Sequence, residues 1–144
     1  MMGVGPKSGV ATGHVVPLSH YYAQKHVSSS GYHNWWDDER FDLYVAIPDK
    51  LGQLYVDENF LVTWGFPTKE QALEYVDTGL FESDWFAGGG SDLWIVDFIC
   101  LDGQVGIIRS FRHLIGMFAD MGFSEAYWLR TETGKVGWFK LKEN

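Results

Sequence analysis

Nine residues, Leu93 to Leu101 (LWIVDFICL), carry a single charge, Asp97, and lie between the glycines 88–90 and Gly103. A run this short and apolar, rich in Ile, Val, Trp and Phe and bounded by glycine, predicts a strand buried on both faces. A carboxylate in such a strand costs several kcal/mol to desolvate unless a cation or several donors meet it. The chain must therefore bring a partner to Asp97 from elsewhere in the sequence.

Composition sets the outer bounds. With 144 residues, 46% of them hydrophobic, the chain suits one globular domain with a core of its own. The longest apolar run is about half of what a membrane-spanning helix needs, so no span is expected. No charged stretch leads into an apolar one at the start, which predicts no signal peptide. A single cysteine, Cys100, builds no disulfide framework and fits a reducing compartment, so the expected location is the cytoplasm. A net charge of -8 argues against nucleic acid as the main partner. The charge is uneven: six basic and four acidic residues follow position 102, a surplus of two, so the first 102 residues carry -10. An acidic partner is expected on the C-terminal third if anywhere.

Residues 1–29 are rich in Gly, Ser and His without a sustained period, which predicts an irregular segment with one short strand or turn of helix around Val15 to Lys25. The histidines at 14, 20 and 26 have neither an HExxH pattern nor a cysteine pair beside them, so no metal site is expected. The remainder, 30–144, is expected to be a single domain. Asp37, Asp38 and Glu39 suit the first turn of a helix opening at His33. Trp36, Arg40, Leu43, Tyr44 and Ile47 follow at helical spacing, and Pro48 is expected to stop it. Gln53–Val56 and Phe60–Phe66 read as a hairpin around Asp57, Glu58 and Asn59. Thr68 and Gln71 form a capping box for a helix to Val76, with Ala72, Leu73 and Val76 as its buried face. Residues 81–90 form a loop whose glycines allow close backbone approach.

After the Asp97 strand, Gly103 and Gly106 lead into a helix from about Val105 to Met121. Its apolar stripe is Ile107, Ile108, Phe111, Ile115 and Phe118, and Gly122 caps it. Glycines at a helix entry leave free amides at a positive dipole end, an anion or carbonyl site in waiting. Two strands, Glu125–Thr131 and Lys135–Lys142, close the chain. The order of elements gives an α/β layered domain with a mixed, mostly antiparallel central sheet flanked by helices. It is the element order of GNAT-like N-acetyltransferase folds, in which a pantetheine arm lies beside the long central strand.

Asp84 and Trp85, followed by glycines and a serine and then Leu93 to Ile99, resemble the DWxSG and WFIDWIAPFG-like segments of the toxin-activating lysine acyltransferases. That family matures RTX hemolysins and is itself GNAT-like. Ser30 to Trp35 (SGYHNW) is similar to its SPLHRNW segment, and Pro48, Gln53 and Tyr55 follow at nearly its distances. Phe60–Trp64, Leu129–Arg130 and Gly134–Val136 resemble further family segments, so the likeness runs roughly from residue 30 to 138. The resemblance implies catalytic roles for His33, Asp97 and Ser30, with His26 the rival histidine. It also implies an acyl-phosphopantetheine thioester as donor substrate, with no bound cofactor. The implied partners are an acyl carrier protein and an acceptor protein bearing a lysine.

The chemistry is consistent with those residue types. Removing the proton of a lysine with a reference pKa of about 10.4 costs on the order of 4.6 kcal/mol at pH 7, so a base is needed, and histidine supplies one. Asp97 would orient His33, and the backbone amides of the strand at Ile99 and Cys100 and of Gly103 and Gly106 would hold the oxyanion and the pantetheine chain. Whether His33 acts as a base or carries the acyl group stays open, as does dimerisation. Two other readings share the fold: a catalytically silent protein-binding module and an acetyl-CoA-dependent N-acetyltransferase.

Overall fold

The computed structural model describes residues 18–31, 33–100, 103–130 and 133–141, without the side chains of Leu18 and of residues 103–107. A five-stranded sheet runs in the order β1 (Leu54–Val56), β2 (Phe60–Gly65), β3 (Trp94–Cys100), β4 (Glu125–Arg130) and β5 (Lys135–Lys140). All neighbours are antiparallel except β3 and β4, which are parallel. A parallel pair needs a crossover, and α5 (Gly103–Asp120) supplies it. The expected α/β architecture, mixed and mostly antiparallel, is thus the one observed. No described helix is long and apolar enough to cross a membrane.

Helices cover the two faces unequally. On one face α5 buries Leu114 and Phe118 against Phe60, Val62, Trp64 and Ile95. The other face carries α1 (Leu18–Ser29), α2 (Asp38–Phe41), a π-helical turn (Asp42–Ala46), α3 (Ile47–Lys50), α4 (Lys69–Thr78) and a 3-10 turn (Ser83–Ala87). Their core is Ala23, Val27, Phe41 and Val45 against Leu61 and Ile99, and an aromatic cluster around Tyr44, Tyr75, Phe81, Trp85, Phe86 and Trp94.

Several expectations are corrected. From Leu18 the segment expected to be irregular is a twelve-residue helix packed onto the sheet. Its buried side is thin, consisting of Ala23, Val27 and the fully buried His26, so it lacks a visible apolar stripe. His14 lies outside the described residues. The second helix begins at Asp38, not His33, because Asp37 caps it through the Arg40 amide at 2.8 Å. Pro48 does not end that helix. Proline removes a donor and crowds the carbonyl four residues back, and the π turn just before it takes up the mismatch. On α4 the capping box forms as expected, but Leu73 is exposed and Tyr75 is the buried anchor. On α5 Ile108 is exposed and Leu114 takes the core position, while the side chain of Ile107 is not among those described.

The hairpin β1–β2 and the triple glycine fix the frame beneath the site. Gln53 is buried and donates to the carbonyls of Trp64 (2.8 Å) and Phe86 (2.7 Å), tying β2 to the 3-10 turn. At the other end of the hairpin Asp57 accepts from the amides of Asn59 and Phe60 and from the Tyr55 hydroxyl at 2.8 Å. Burial pushes the Tyr55 phenol up to about 12, reinforced by its hydrogen bond to Asp57. Burial works against the Asp57 carboxylate, but those three donors outweigh it and hold its pKa below the ordinary value. Gly90 runs so close to the main chain of Pro67 that a Cβ there would lie 1.8 Å from the Pro67 carbonyl oxygen.

Gly90→Ala is expected to lower the unfolding free energy by about 1–3 kcal/mol or more, since backbone must move. Gly116→Ala, in open space on α5, should be neutral or stabilising; equal losses in urea titrations would contradict the packing. Tyr55 gives a pH signature. A phenol held neutral beyond its ordinary 10.0 contributes fully below that pH, and the contribution fades as pH rises toward about 12. The wild type should therefore lose stability relative to Tyr55→Phe across that window, and a constant difference would refute the assignment.

Candidate active site

Asp97 owes its direction to a β-bulge. Thr63 pairs with Asp97 but the next residue of β2, Trp64, pairs with Ile95, so Val96 is the extra residue. Strict alternation would place Asp97 on the face of Ile95, under α5; one inserted residue turns it to the opposite face, with Trp94 and Ile99. Its backbone amide donates to the buried Thr63 hydroxyl at 3.2 Å, which holds the bulge. Here the strand differs from the expectation of burial on both faces throughout: Val96, Asp97 and Phe98 are half-buried.

The partner that Asp97 requires arrives from the end of α1. There the Ser30 carbonyl accepts from the amides of His33 (3.3 Å) and Asn34 (3.0 Å), folding the chain into a tight turn. His33 Nε2 lies 3.1 Å from Asp97 Oδ1, and His33 Nδ1 lies 2.7 Å from Ser30 Oγ. A carboxylate only accepts, so Nε2–H donates to it; in the neutral imidazole Nδ1 is then the acceptor and the Ser30 hydroxyl donates. The three residues form one line, Ser30 to His33 to Asp97. The His33 and Asp97 side chains are 18% and 16% exposed, dry enough to strengthen the contact yet open to a substrate.

An aromatic bed surrounds this line. Trp36 meets the His33 ring edge-on at 5.0 Å and leads to Tyr44. The Arg40 guanidinium lies 3.8 Å from the centroid of the Tyr44 ring, and among the described residues it has no carboxylate partner, since His33–Asp97 is the one ion pair found there. The Tyr44 hydroxyl donates to the Phe81 carbonyl. Burial raises the Tyr44 phenol and the Asp97 charge adds to this, with Arg40 pulling the other way. Tyr75 is likewise raised by burial and then by Asp97. The sequence places Arg40 and Tyr44 at helical spacing without assigning them to the site; a cation inside an otherwise apolar series is the available signal.

The other candidates sort differently. Gly103 and Gly106 do not precede the helix; they belong to its opening turn, six and nine residues after Asp97. Amides of a first turn lack intrahelical partners, so the anion-binding potential stays with the helix itself. The Ile99 side chain is buried in the α1 cluster, so only its main chain is available to a ligand, while the half-buried Cys100 lies with Sγ 3.7 Å from Ser110 Oγ. His26 is fully buried and donates from Nε2 to the Asp57 carbonyl at 2.7 Å, fastening α1 to the hairpin turn far from Asp97. Among the described residues no group of His, Cys, Asp or Glu could hold a metal ion. β3 and β4 share two ladder pairs, Trp94 with Tyr127 and Ile95 with Trp128; beyond them the facing edges are not paired to each other. Leu101 and Asp102, between β3 and α5, lie outside the described residues.

No protein-family model matches the chain, and no curated protein matches its sequence.

The contact predicts its own energetics. His33→Ala and Asp97→Asn are each expected to cost about 1–3 kcal/mol of stability, and the double variant less than their sum, because both remove the same bond. Strictly additive losses in chemical denaturation would show that the pair is not in contact in solution.

Proposed function

We propose that the chain is a protein lysine acyltransferase that moves an acyl group from a pantetheine thioester to a lysine side chain. The observation that carries this reading is the hydrogen-bonded line from Ser30 through His33 to Asp97, joining residues 64 positions apart. These are the residues that the resemblance to toxin-activating acyltransferases singles out. In this chemistry Asp97 fixes the imidazole with Nε2–H toward itself, so the basic lone pair sits on Nδ1. The lysine ammonium loses one proton to solvent, and as the neutral amine attacks, its nitrogen gives a second proton to Nδ1, directly or through the Ser30 hydroxyl. The C–N bond forms at the thioester carbonyl, the C–S bond breaks, and the departing thiolate takes the proton back from the imidazolium. The β4-facing main-chain edge of β3 beyond Ile95, with the first-turn amides of α5, offers donors for the oxyanion and the arm.

A catalytically silent binding module is the second reading. It is favoured by an apolar groove of about 690 Å³ between α4 and the β4–β5 hairpin, lined by Leu73, Val76, Trp94, Tyr127 and Val136. Exposed Trp138 lies beside it on the same face of the sheet.

Incubating the full chain with an acyl thioester and a lysine-bearing acceptor separates the two. Acyl transfer should appear as a mass increase on the acceptor, and His33→Ala and Asp97→Asn should reduce the rate by about a hundredfold or more. Ser30→Ala should reduce it less if Ser30 only relays the proton. Absence of transfer would leave the binding module, and transfer that survives His33→Ala would overturn the role of His33 as the base. Turnover with acetyl-CoA but not with acyl carrier protein would instead indicate an N-acetyltransferase.

A further inference from the structure

The outward side of α5 carries a cationic patch on a chain of net charge -8. Arg109, Arg112 and His113 are exposed there, and Ile108 is 59% exposed between the cations and the helix start. Arg109 lies about 9 Å along the helix from Gly103 and Arg112 about 14 Å, at 1.5 Å per residue. Among the described residues neither arginine belongs to an ion pair, His33–Asp97 being the one found. One turn further on, the same side is hollowed into a groove of about 480 Å³ lined by Arg112, His113, Gly116, Met117, Asp120 and Met121. Gly116 has open space where a side chain would stand, and Met121 is 47% exposed. Flexible, polarizable methionines beside a notch suit contact with another protein's helix. The net charge of -8 repels an acidic protein from the molecule as a whole, so long-range attraction falls to its local cationic patches, and Arg109 and Arg112 form the one that adjoins the first turn of α5.

We propose that this side of α5, from Ile108 through Arg112 to the groove at Gly116, is the docking surface for the acidic carrier protein that presents the acyl thioester. The proposal rests on the acyl-transfer reading and adds to it where the donor sits. The carrier's acidic helix lies along the arginines with apolar contacts to Ile108 and Met121. Its pantetheine arm leaves it near the first turn of α5 and enters between the unpaired edges of β3 and β4. The partner is thereby held on the face of the sheet opposite His33.

The experiment measures binding of apo-acyl carrier protein, which lacks the arm, to the full chain at low and at moderate salt. Omitting the arm removes any contribution from the catalytic cleft. Arg109→Glu with Arg112→Glu should weaken binding by about tenfold or more, and Arg109→Gln with Arg112→Gln by an intermediate factor. Lys50→Glu with Lys69→Glu, the same change of charge on the opposite face, should change it by less than about twofold. Wild-type binding should weaken as salt rises. Equal losses for the two charge-reversed pairs, no loss in either, or no salt-dependent binding by the wild type would overturn the docking surface. Failure here is distinct from failure of the acyl-transfer reading: a chain that acylates from a carrier-free thioester but does not bind the carrier loses only this proposal. One that binds the carrier through α5 yet transfers nothing loses only the catalytic one.

Discussion

A carboxylate that is five-sixths covered in the middle of a sheet must be met, and among the described residues it is met by the imidazole of His33. Much of the architecture follows from that need. The bulge at Val96 turns Asp97 away from α5, and without it the carboxylate would point into Leu114 and Phe118 with nothing polar to receive it. The end of α1 and the Ser30 turn bring His33 to the same face, and His26 and Val27 hold α1 in place by packing and by the bond to the hairpin turn. Removing any of these supports would leave Asp97 unpaired in a partly dry setting, which costs more than the pair itself contributes.

Around the pair the chain puts aromatic rings where other polar groups might have been placed. Trp36, Tyr44, Tyr75 and Trp94 keep water scarce, so the Asp97 charge acts at longer range than it would on a wet surface. The phenols register this: Tyr75 is raised first by burial and then by Asp97, and Tyr44 by burial, with Glu82 and then Asp97 adding to the rise. Arg40, spread over the Tyr44 ring, offsets some of that negative potential without contacting the carboxylate. Its cation thus tempers the field at the site while His33 makes the bond to Asp97 through Nε2–H, which leaves the Nδ1 lone pair to accept from the Ser30 hydroxyl.

How far the sequence revealed this depends on where the information lies. The need for a partner at Asp97 was legible because one charge in nine apolar residues has a cost that composition alone exposes. The capping box at Thr68, the hairpin at Asp57 and the closing strands were legible because their signals are local. The first helix was not, since it is anchored by a buried histidine, an alanine and a valine rather than by an apolar stripe. The failure of Pro48 to end its helix was hidden for a different reason: a π turn upstream accommodates it, and nothing in the residues themselves announces a widened turn. The wrong members of the apolar stripes, Leu73 and Ile108, show the limit of periodicity, which says that a helix has two sides without saying how wide the buried one is. Arg40 marks the same limit, being read as a helix-face residue when its position over Tyr44 makes it part of the site.

The sheet itself divides the work under the proposed reaction. An acyltransferase that joins two proteins must seat both at once, and their bulk cannot share one approach to a pair of side chains. α5 and its arginines lie on one face, and His33, Asp97 and the acidic first turn at Asp37–Glu39 lie on the other. The only thing that has to cross is a thin arm, and the early end of pairing between β3 and β4 leaves main-chain edges to receive it where it would pass. A continuous ladder between those strands would close that route, so the two-residue pairing that looks like a weakness of the sheet is what the proposed division of donor from acceptor requires.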